Sequence, residues 1–502
     1  MYIVTAEEMY EIDRYAIEEK GIQGKILMEN AGAQVAKAMI HDHGKRSKAA
    51  IVVGSGNNGG DGFVIARYLQ EFGCEVTVFQ IVADHKIAGD AAYHKQLWLQ
   101  AGGALTQIKE AADLKERLAL FDIVVDAILG IGVKGNLREP IRSMINAINQ
   151  LSVKTIAVDI PSGLPAADDH SVDIAVEADY TYIIDAPKQS LFCEGMTCYY
   201  GSWQVLPIGI PSQAYAAIQR GLWRQRDVQA SLPRREVFSH KGSHGKGAVI
   251  GGQLTMPGSI CLSAKAALRS GAGLVTVATL RENIVIVTNQ CVEATYHVLP
   301  DFTAPLSESS LHTLASYDAI AVGMGMGREP SELVQALLQD TDVPLLIDAD
   351  GLYQLKPLLA KGWNRMAPVV ITPHYGEMAM LTGQDVASLK QAPFSISQQF
   401  AARYQVYVVL KGKYTIITSP NGQQMVSDQG NAGLAKGGTG DVLSGILLTM
   451  LMQHDEVMPA LANGCYVHGR AAEILVERQH TTTDLLASDV IEGLSQVFRT
   501  LT

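Results

Sequence analysis

Two glycine-rich runs carry the residues best placed for chemistry. In Lys436-Gly437-Gly438-Thr439-Gly440-Asp441-Val442-Leu443-Ser444-Gly445, glycines give way to apolar residues at helical spacing. Such a run offers backbone N–H groups at a helix start, where a phosphate is stabilised. Asp441 is placed there to take a proton from a hydroxyl beside the phosphate. No Gly-Lys-Ser/Thr tail follows, so this is not a Walker A loop; a plain helix cap is the bland alternative. The other run, Gly54-Ser55-Gly56-Asn57-Asn58-Gly59-Gly60-Asp61-Gly62, follows the apolar stretch Ala49–Val53. Its Gly54-x-Gly56-x-x-Gly59 spacing matches the dinucleotide fingerprint. The next strand, however, ends in Gln80 rather than a ribose-binding acid, and Asp61 would repel a pyrophosphate. Asn57, Asn58 and Asp61 suit sugar or amide hydrogen bonds, or a cation, while a tight glycine turn with Asp61 as a helix cap needs no ligand at all.

Further chemistry sits where apolar runs end. Asp126 leads into Leu129-Gly130-Ile131-Gly132-Val133-Lys134-Gly135-Asn136, and Asp159 into Ile160-Pro161-Ser162-Gly163. In a parallel sheet these ends converge on one edge, so Asn58, Asp126 and Ser162 can meet and offer only oxygen, the preference of a hard cation. In the second half, Lys411-Gly412-Lys413-Tyr414-Thr415 supplies positive charge after a strand. His374, between Pro373 and Gly376, follows another strand, as do Asp348-Ala349-Asp350 and Gly323-Met324-Gly325-Met326-Gly327.

The elements that must position these groups alternate. Thr5-x-x-Glu8 signals a capping box, and helical spacing runs from about Gly24 to His41. Strands are predicted at Ala49–Val53, Val76–Val82, Asp122–Ala127, Thr155–Val158 and Tyr180–Ile184, with helical spacing resuming at Phe63 after the first of them. The pattern loses its strands around Pro211 to Arg226, leaving one weak helix that ends near Leu232-Pro233. Strands restart at Ala248–Ile250, Leu274–Ala278, Ala319–Val322, Leu345–Ile347, Val369–Ile371 and Val406–Leu410. The fold class is therefore α/β with two domains, 1–212 and 229–502, joined by a linker at 213–228.

With 502 residues and a net charge of −11, the chain lacks the basic footprint of a duplex nucleic-acid binder. Its six cysteines form no CxxC pair, so neither a zinc knuckle nor a disulfide framework is indicated. No apolar stretch approaches about 18 residues and no leader pattern opens the sequence. A cytoplasmic protein, free of membrane and forming a homo-oligomer, is expected.

Asn57-Asn58-Gly59-Gly60-Asp61-Gly62, Asp126-Ala127-Ile128-Leu129-Gly130-Ile131-Gly132 and Val158-Asp159-Ile160-Pro161-Ser162-Gly163, in that order, resemble the NAD(P)H-hydrate epimerase family over roughly residues 1–210. The resemblance implies a Rossmann-like three-layer sandwich. It implies that Asn57, Asn58, Gly59, Gly60, Asp61, Gly130, Ile131, Gly132, Val133, Lys134, Gly135, Asn136 and Asp159 contact the hydrated nucleotide, and that Asn58, Asp126 and Ser162 hold potassium. Asp159, whose loop neighbours the substrate motifs, is assigned the proton-handling role.

The Gly-Thr-Gly-Asp loop resembles the ribokinase-like superfamily. Together with His240-Lys241-Gly242, Gly251-Gly252 and Arg269-Ser270-Gly271-Ala272-Gly273-Leu274, it is similar to the ADP-dependent NAD(P)H-hydrate dehydratase family over residues 229–502. This match implies Ala264, Gly325, His374 and Asp441 on the hydrated dinucleotide, and Lys411, Gly412, Lys413, Tyr414, Thr415 and Gly440 on ADP or AMP, with Mg²⁺. Tyr375 stands where that family usually shows Pro, so altered loop packing is expected there. Asp441 is the base toward the 6-hydroxyl. The two halves together imply a bifunctional repair enzyme that epimerises hydrated NADH and NADPH and dehydrates the S form with ADP, giving AMP and phosphate. The rival is a ribokinase-like small-molecule kinase fused to a non-catalytic nucleotide-binding module.

Overall fold

A computed structural model describes residues 1–44, 47–168, 171–329 and 331–501. The chain divides into two compact units, Met1–Gln219 and Arg220–Thr502.

The first unit is built on seven strands: β1 (Lys48–Val53), β2 (Glu75–Gln80), β3 (Ala104–Gln107), β4 (Ile123–Ala127), β5 (Lys154–Val158), β6 (Tyr180–Ile184) and β7 (Ser202–Leu206). They lie in the order β3-β2-β1-β4-β5-β6-β7, with every neighbouring pair parallel. Helices cover both faces, which is why β1 and β4 read as nearly unbroken apolar runs. Strand order reverses between β1 and β4, and a crevice opens at their carboxyl ends. The helix entering from β1 spans Asn57–Glu71, starting six residues before the helical spacing resumes at Phe63. A Cβ on Gly62 would lie 2.8 Å from Val53 Cγ1 and 2.9 Å from Ala127 Cβ, so a glycine there lets the helix pack close on the sheet.

The second unit has ten strands: β8 (Arg220–Leu222), β9 (Lys246–Ile250), β10 (Leu274–Leu280), β11 (Thr295–Leu299), β12 (Ala319–Val322), β13 (Leu345–Ile347), β14 (Val369–Ile371), β15 (Tyr407–Leu410), β16 (Thr415–Thr418) and β17 (Gln424–Ser427). Their order is β11-β10-β9-β12-β13-β14-β15-β16-β17-β8. β9 to β15 are parallel, β15-β16-β17 form an antiparallel meander, and β8 joins the edge parallel to β17. The helix Thr439–Gln453 is apolar nearly all round because it is buried in the core of this unit.

The stretch expected as a linker, 213–228, is instead shared between the two units. Buried Tyr215 packs with Val4, Met9 and Ile12 in the first. β8 and the helix Gln225–Ser231 belong to the second, where Val228 is buried in the core and Trp223 Nε1 donates to Asn463 Oδ1 at 2.8 Å. A three-residue edge strand is too short to show alternation, so the sequence gives no sign of it.

Two candidate active sites

In the first unit a cavity of about 490 Å³ opens at the carboxyl ends of β1, β4 and β5. Its wall includes Asn57, Asn58, Asp61, Gly130, Ile131, Gly132, Val133, Lys134 and Asp159. Gly59 and Gly60 are not among its lining residues; a Cβ on Gly59 would lie 2.4 Å from Gly54 O, and one on Gly60 2.5 Å from Met28 Sδ. Gly135 and Asn136 are exposed and lie outside the wall.

Asp126 and Ser162 sit fully buried behind this wall. Asp126 Oδ2 accepts from Ser162 N at 2.8 Å, and Oδ1 accepts from Ser162 Oγ at 2.6 Å and Ile128 N at 3.2 Å. Burial pushes the Asp126 carboxyl up to about 6, although those hydrogen bonds pull it down. Asn58 Nδ2 donates to Leu129 O at 2.8 Å, and the buried Asn58 Oδ1 has no partner among the described residues. Asn58 and Ser162 both hydrogen-bond Leu129 O, so an orphaned amide oxygen, a hydroxyl and the buried Asp126 carboxylate make an all-oxygen donor set of the kind a hard cation takes.

Asp159 holds φ 65°, a left-handed conformation that costs energy for a side chain with a Cβ. Its Oδ1 accepts from Ile184 N at 3.0 Å and pairs with the ammonium of Lys188. Lys188 is almost wholly buried and lines the cavity, as does Asp13 on the helix Ala6–Arg14. Neither is part of a recognisable motif. Lys188 follows β6 and Asp13 opens the chain, so only the fold brings them to Asp159.

In the second unit the strand ends converge in the same way. Lys411 Nζ donates to Asp348 Oδ1 at 2.9 Å, and Ser444 Oγ donates to Asp348 Oδ2 at 2.6 Å. Burial pushes the Asp348 carboxyl up, but the Lys411 charge and these hydrogen bonds outweigh it and hold the group below its usual range. Gly440 lies against the pair: a Cβ there would be 3.5 Å from Lys411 Nζ and 4.0 Å from Asp348 Oδ2. Asp441 is pushed up to about 6, first by burial and then by the Asp348 charge. Gly438, at φ 92°, turns the chain into the helix that carries them.

His374 caps the helix Tyr375–Thr382, its Nδ1 accepting from Glu377 N at 3.1 Å, yet its ring stays largely exposed. It pairs with Lys411 through a backbone bridge, Lys411 N donating to Pro373 O at 2.9 Å. Lys411, Gly412, Lys413 and Tyr414 form the turn from β15 into β16, which opens at Thr415. Gly325 takes φ 59°, and a Cβ on it would meet Ser259 Cβ at 2.9 Å.

Ala264 is fully buried in the apolar core. Ser259, earlier on the same helix, hydrogen-bonds the Asp441 side chain and is the group this helix presents to the site. The helical periodicity that places Ala264 inside was readable; which polar residue faces Asp441 was not. Among the described residues no three His, Cys, Asp or Glu side chains gather as a metal cluster.

Residues 24–190 match a family described as YjeF-related protein N-terminus, and residues 248–494 one described as NAD(P)H-hydrate dehydratase. The bifunctional NAD(P)H-hydrate repair enzyme Nnr of Moorella thermoacetica is 37% identical over 516 residues, covering 100% of this chain and 97% of that one. Its namesake from Escherichia coli is 33% identical over 98% of this chain and 93% of that one. The crystal structure of an ADP/ATP-dependent NAD(P)H-hydrate dehydratase from Bacillus subtilis, co-crystallised with ATP/Mg²⁺, is 32% identical with a TM-score of 0.50, covering 56% of this chain and 99% of that chain. A ribokinase-like superfamily protein from Enterococcus faecalis, 24% identical with a TM-score of 0.51 over 57% of this chain and 97% of that chain, shares the fold. No helix among the described residues is long and apolar enough to cross a membrane.

Proposed function

The chain belongs to the bifunctional NAD(P)H-hydrate repair enzymes, and from that premise we propose how its two sites divide the work. The first unit interconverts the R and S forms of hydrated NADH and NADPH, and the second dehydrates the S form at the expense of ADP. The observation that carries the second assignment is the convergence of Lys411, Asp348, Gly440 and Asp441 at one sheet edge.

Hydroxide is a poor leaving group, so the 6-hydroxyl must first become a phosphate ester. Asp441 accepts the hydroxyl proton as the oxygen attacks the terminal phosphorus of ADP, releasing AMP. Backbone N–H groups at the start of Thr439–Gln453 steady the phosphoryl oxygens. Lys411 and the turn to Thr415 face the nucleotide phosphates, with Asp348 fixing the Lys411 ammonium. Magnesium, when bound with the nucleotide, neutralises phosphoryl charge. Elimination of phosphate with a ring proton restores reduced nicotinamide. His374 and Gly325 hold the dinucleotide.

In the first unit Asp159 handles the proton of the 6-hydroxyl, and Asn57, Asp61 and the Gly130–Lys134 segment hold the nucleotide. Asn58, Asp126 and Ser162 would hold potassium, which when bound would offset negative charge beside the anionic substrate.

Purified protein given mixed R and S hydrates should restore reduced nicotinamide absorbance completely with ADP and not at all without it. Recovery stopping at the S fraction would overturn the first assignment, and ADP-independent recovery the second.

A further inference from the structure

Four ionisable groups, Asp13, Asp61, Asp159 and Lys188, share the first-unit cavity. Asp159 and Lys188 are paired with each other. Three carboxyls against one ammonium, in a cavity built for an anionic dinucleotide, cannot all be ionised cheaply, because burial and like charge both oppose it. One of them has to carry a proton.

Asp61, the more deeply buried, is held well above its usual range by burial and by the charges of Asp159 and Asp13, whereas half-buried Asp13 is the acid open to the cavity from the first helix. Met9, Tyr10, Asp13 and Ile17 all line the cavity, and their spacing puts them on one helical face. Asp13 is the one acid on that face. No protein hydrogen bond or ion pair engages its carboxyl among the described residues, although most of the group is out of water. The charges facing it are Lys188 and Asp185 from the segment after β6, Asp159 after β5 and Asp61 on the helix Asn57–Glu71. Lys134 and Asp90 stand elsewhere on the wall. Burial, and then the charges of Asp159 and Asp185 against that of Lys188, bring the Asp13 carboxyl up to about 6.

We propose that Asp13 is the second proton carrier of the epimerase, delivering a proton to the ring nitrogen while Asp159 takes one from the 6-hydroxyl. This rests on the epimerase reading of the first unit. The hydrated carbon bears both a hydroxyl and the ring nitrogen, so it is a hemiaminal. Asp159 removes the hydroxyl proton, the C6–O bond becomes a carbonyl, and the C6–N1 bond breaks. Its electron pair takes the proton from Asp13. Rotation about C5–C6 turns the other carbonyl face toward N1, and the reverse steps close the ring with the opposite configuration. No oxidant, reductant or water is consumed, and both acids return to their starting states. The Lys188 ammonium is paired with Asp159 and not with Asp13.

The test uses the full chain with R hydrate and ADP, so that its own dehydratase reports the S form as it appears. Asp13→Asn is expected to lower the epimerase kcat at least about a hundredfold with little change in KM. The direct dehydration of S hydrate and the melting temperature should stay at parental values. In the parent, epimerase kcat should fall as pH rises through about 6, where Asp13 loses its proton, and Asp13→Glu should restore most of the rate together with that limb. Epimerisation in Asp13→Asn within threefold of the parent, or a parent without the alkaline limb, overturns the proposal. If Asp13→Asn does not fold, the parental limb and Asp13→Glu decide the matter alone. A parent unable to convert R hydrate at any pH defeats the epimerase reading itself.

Discussion

Lys411 and Asp348 stand 63 residues apart in sequence and form a hydrogen-bonded ion pair of 2.9 Å, the ammonium shielded and the carboxylate fully buried. The pair joins the end of β15 to the end of β13 and lies directly beneath Gly440. It fixes one cation at the carboxyl edge of the sheet, where we propose a nucleotide phosphate binds, and is itself a strong structural constraint. Lys411→Met leaves Asp348 charged and unpaired. The second unit should lose about 3–5 kcal/mol, read as an earlier urea transition, and ADP affinity should fall. An unchanged transition midpoint would remove the structural role, and unchanged ADP affinity the nucleotide role.

Asp441 should act as a base in its ionised form. Its carboxyl is pushed up to about 6, so the active form is complete above about pH 7 and is lost as pH falls through 6. Dehydratase kcat should therefore rise with pH along a limb centred near 6. Asp441→Asn should remove that limb along with at least about a hundredfold in rate. Near-parental turnover in that variant would remove Asp441 from the role.

Cation dependence should divide the two activities. Replacing potassium with a large organic cation should weaken epimerisation and leave dehydration largely untouched, since the orphaned Asn58 Oδ1 lies in the first unit alone. Asp126→Ala should reproduce the loss with potassium restored. Equal sensitivity of both activities would point to a cation elsewhere.

Fragments should report the boundary. A chain of residues 220–502 keeps β8, the Trp223 bond to Asn463 and the Arg224 pair with Asp428 at 2.9 Å. One starting at residue 229 loses all three and opens the core at Val228. The shorter fragment should be less stable by at least about 3 kcal/mol in urea, with both retaining ADP-dependent dehydration where folded. Equal midpoints would return residues 220–228 to the status of a linker.

The sequence by itself determined the class of each half. Apolar runs of strand length ending in Gly, Asp or Ser, with helical spacing between them, fix a parallel sheet whose carboxyl edge collects those residues, because side-chain period and burial are local properties. Gly440-Asp441 and Asn57-Asn58 were legible for the same reason: the chemistry and the turn that aims it lie within a few residues. Only the tertiary structure decided which distant groups meet. Lys188 reaches Asp159, Asp13 crosses the mouth of the cavity, and Asp348 holds Lys411, each through contacts that no short-range pattern encodes. It also decided what a side chain at Gly59 or Gly60 would strike and that Ala264 is buried in the core. Motif spacing records that a small residue is needed, whereas its reason, a helix packed close on a sheet or a seat in the core, exists only once the neighbouring elements are in place.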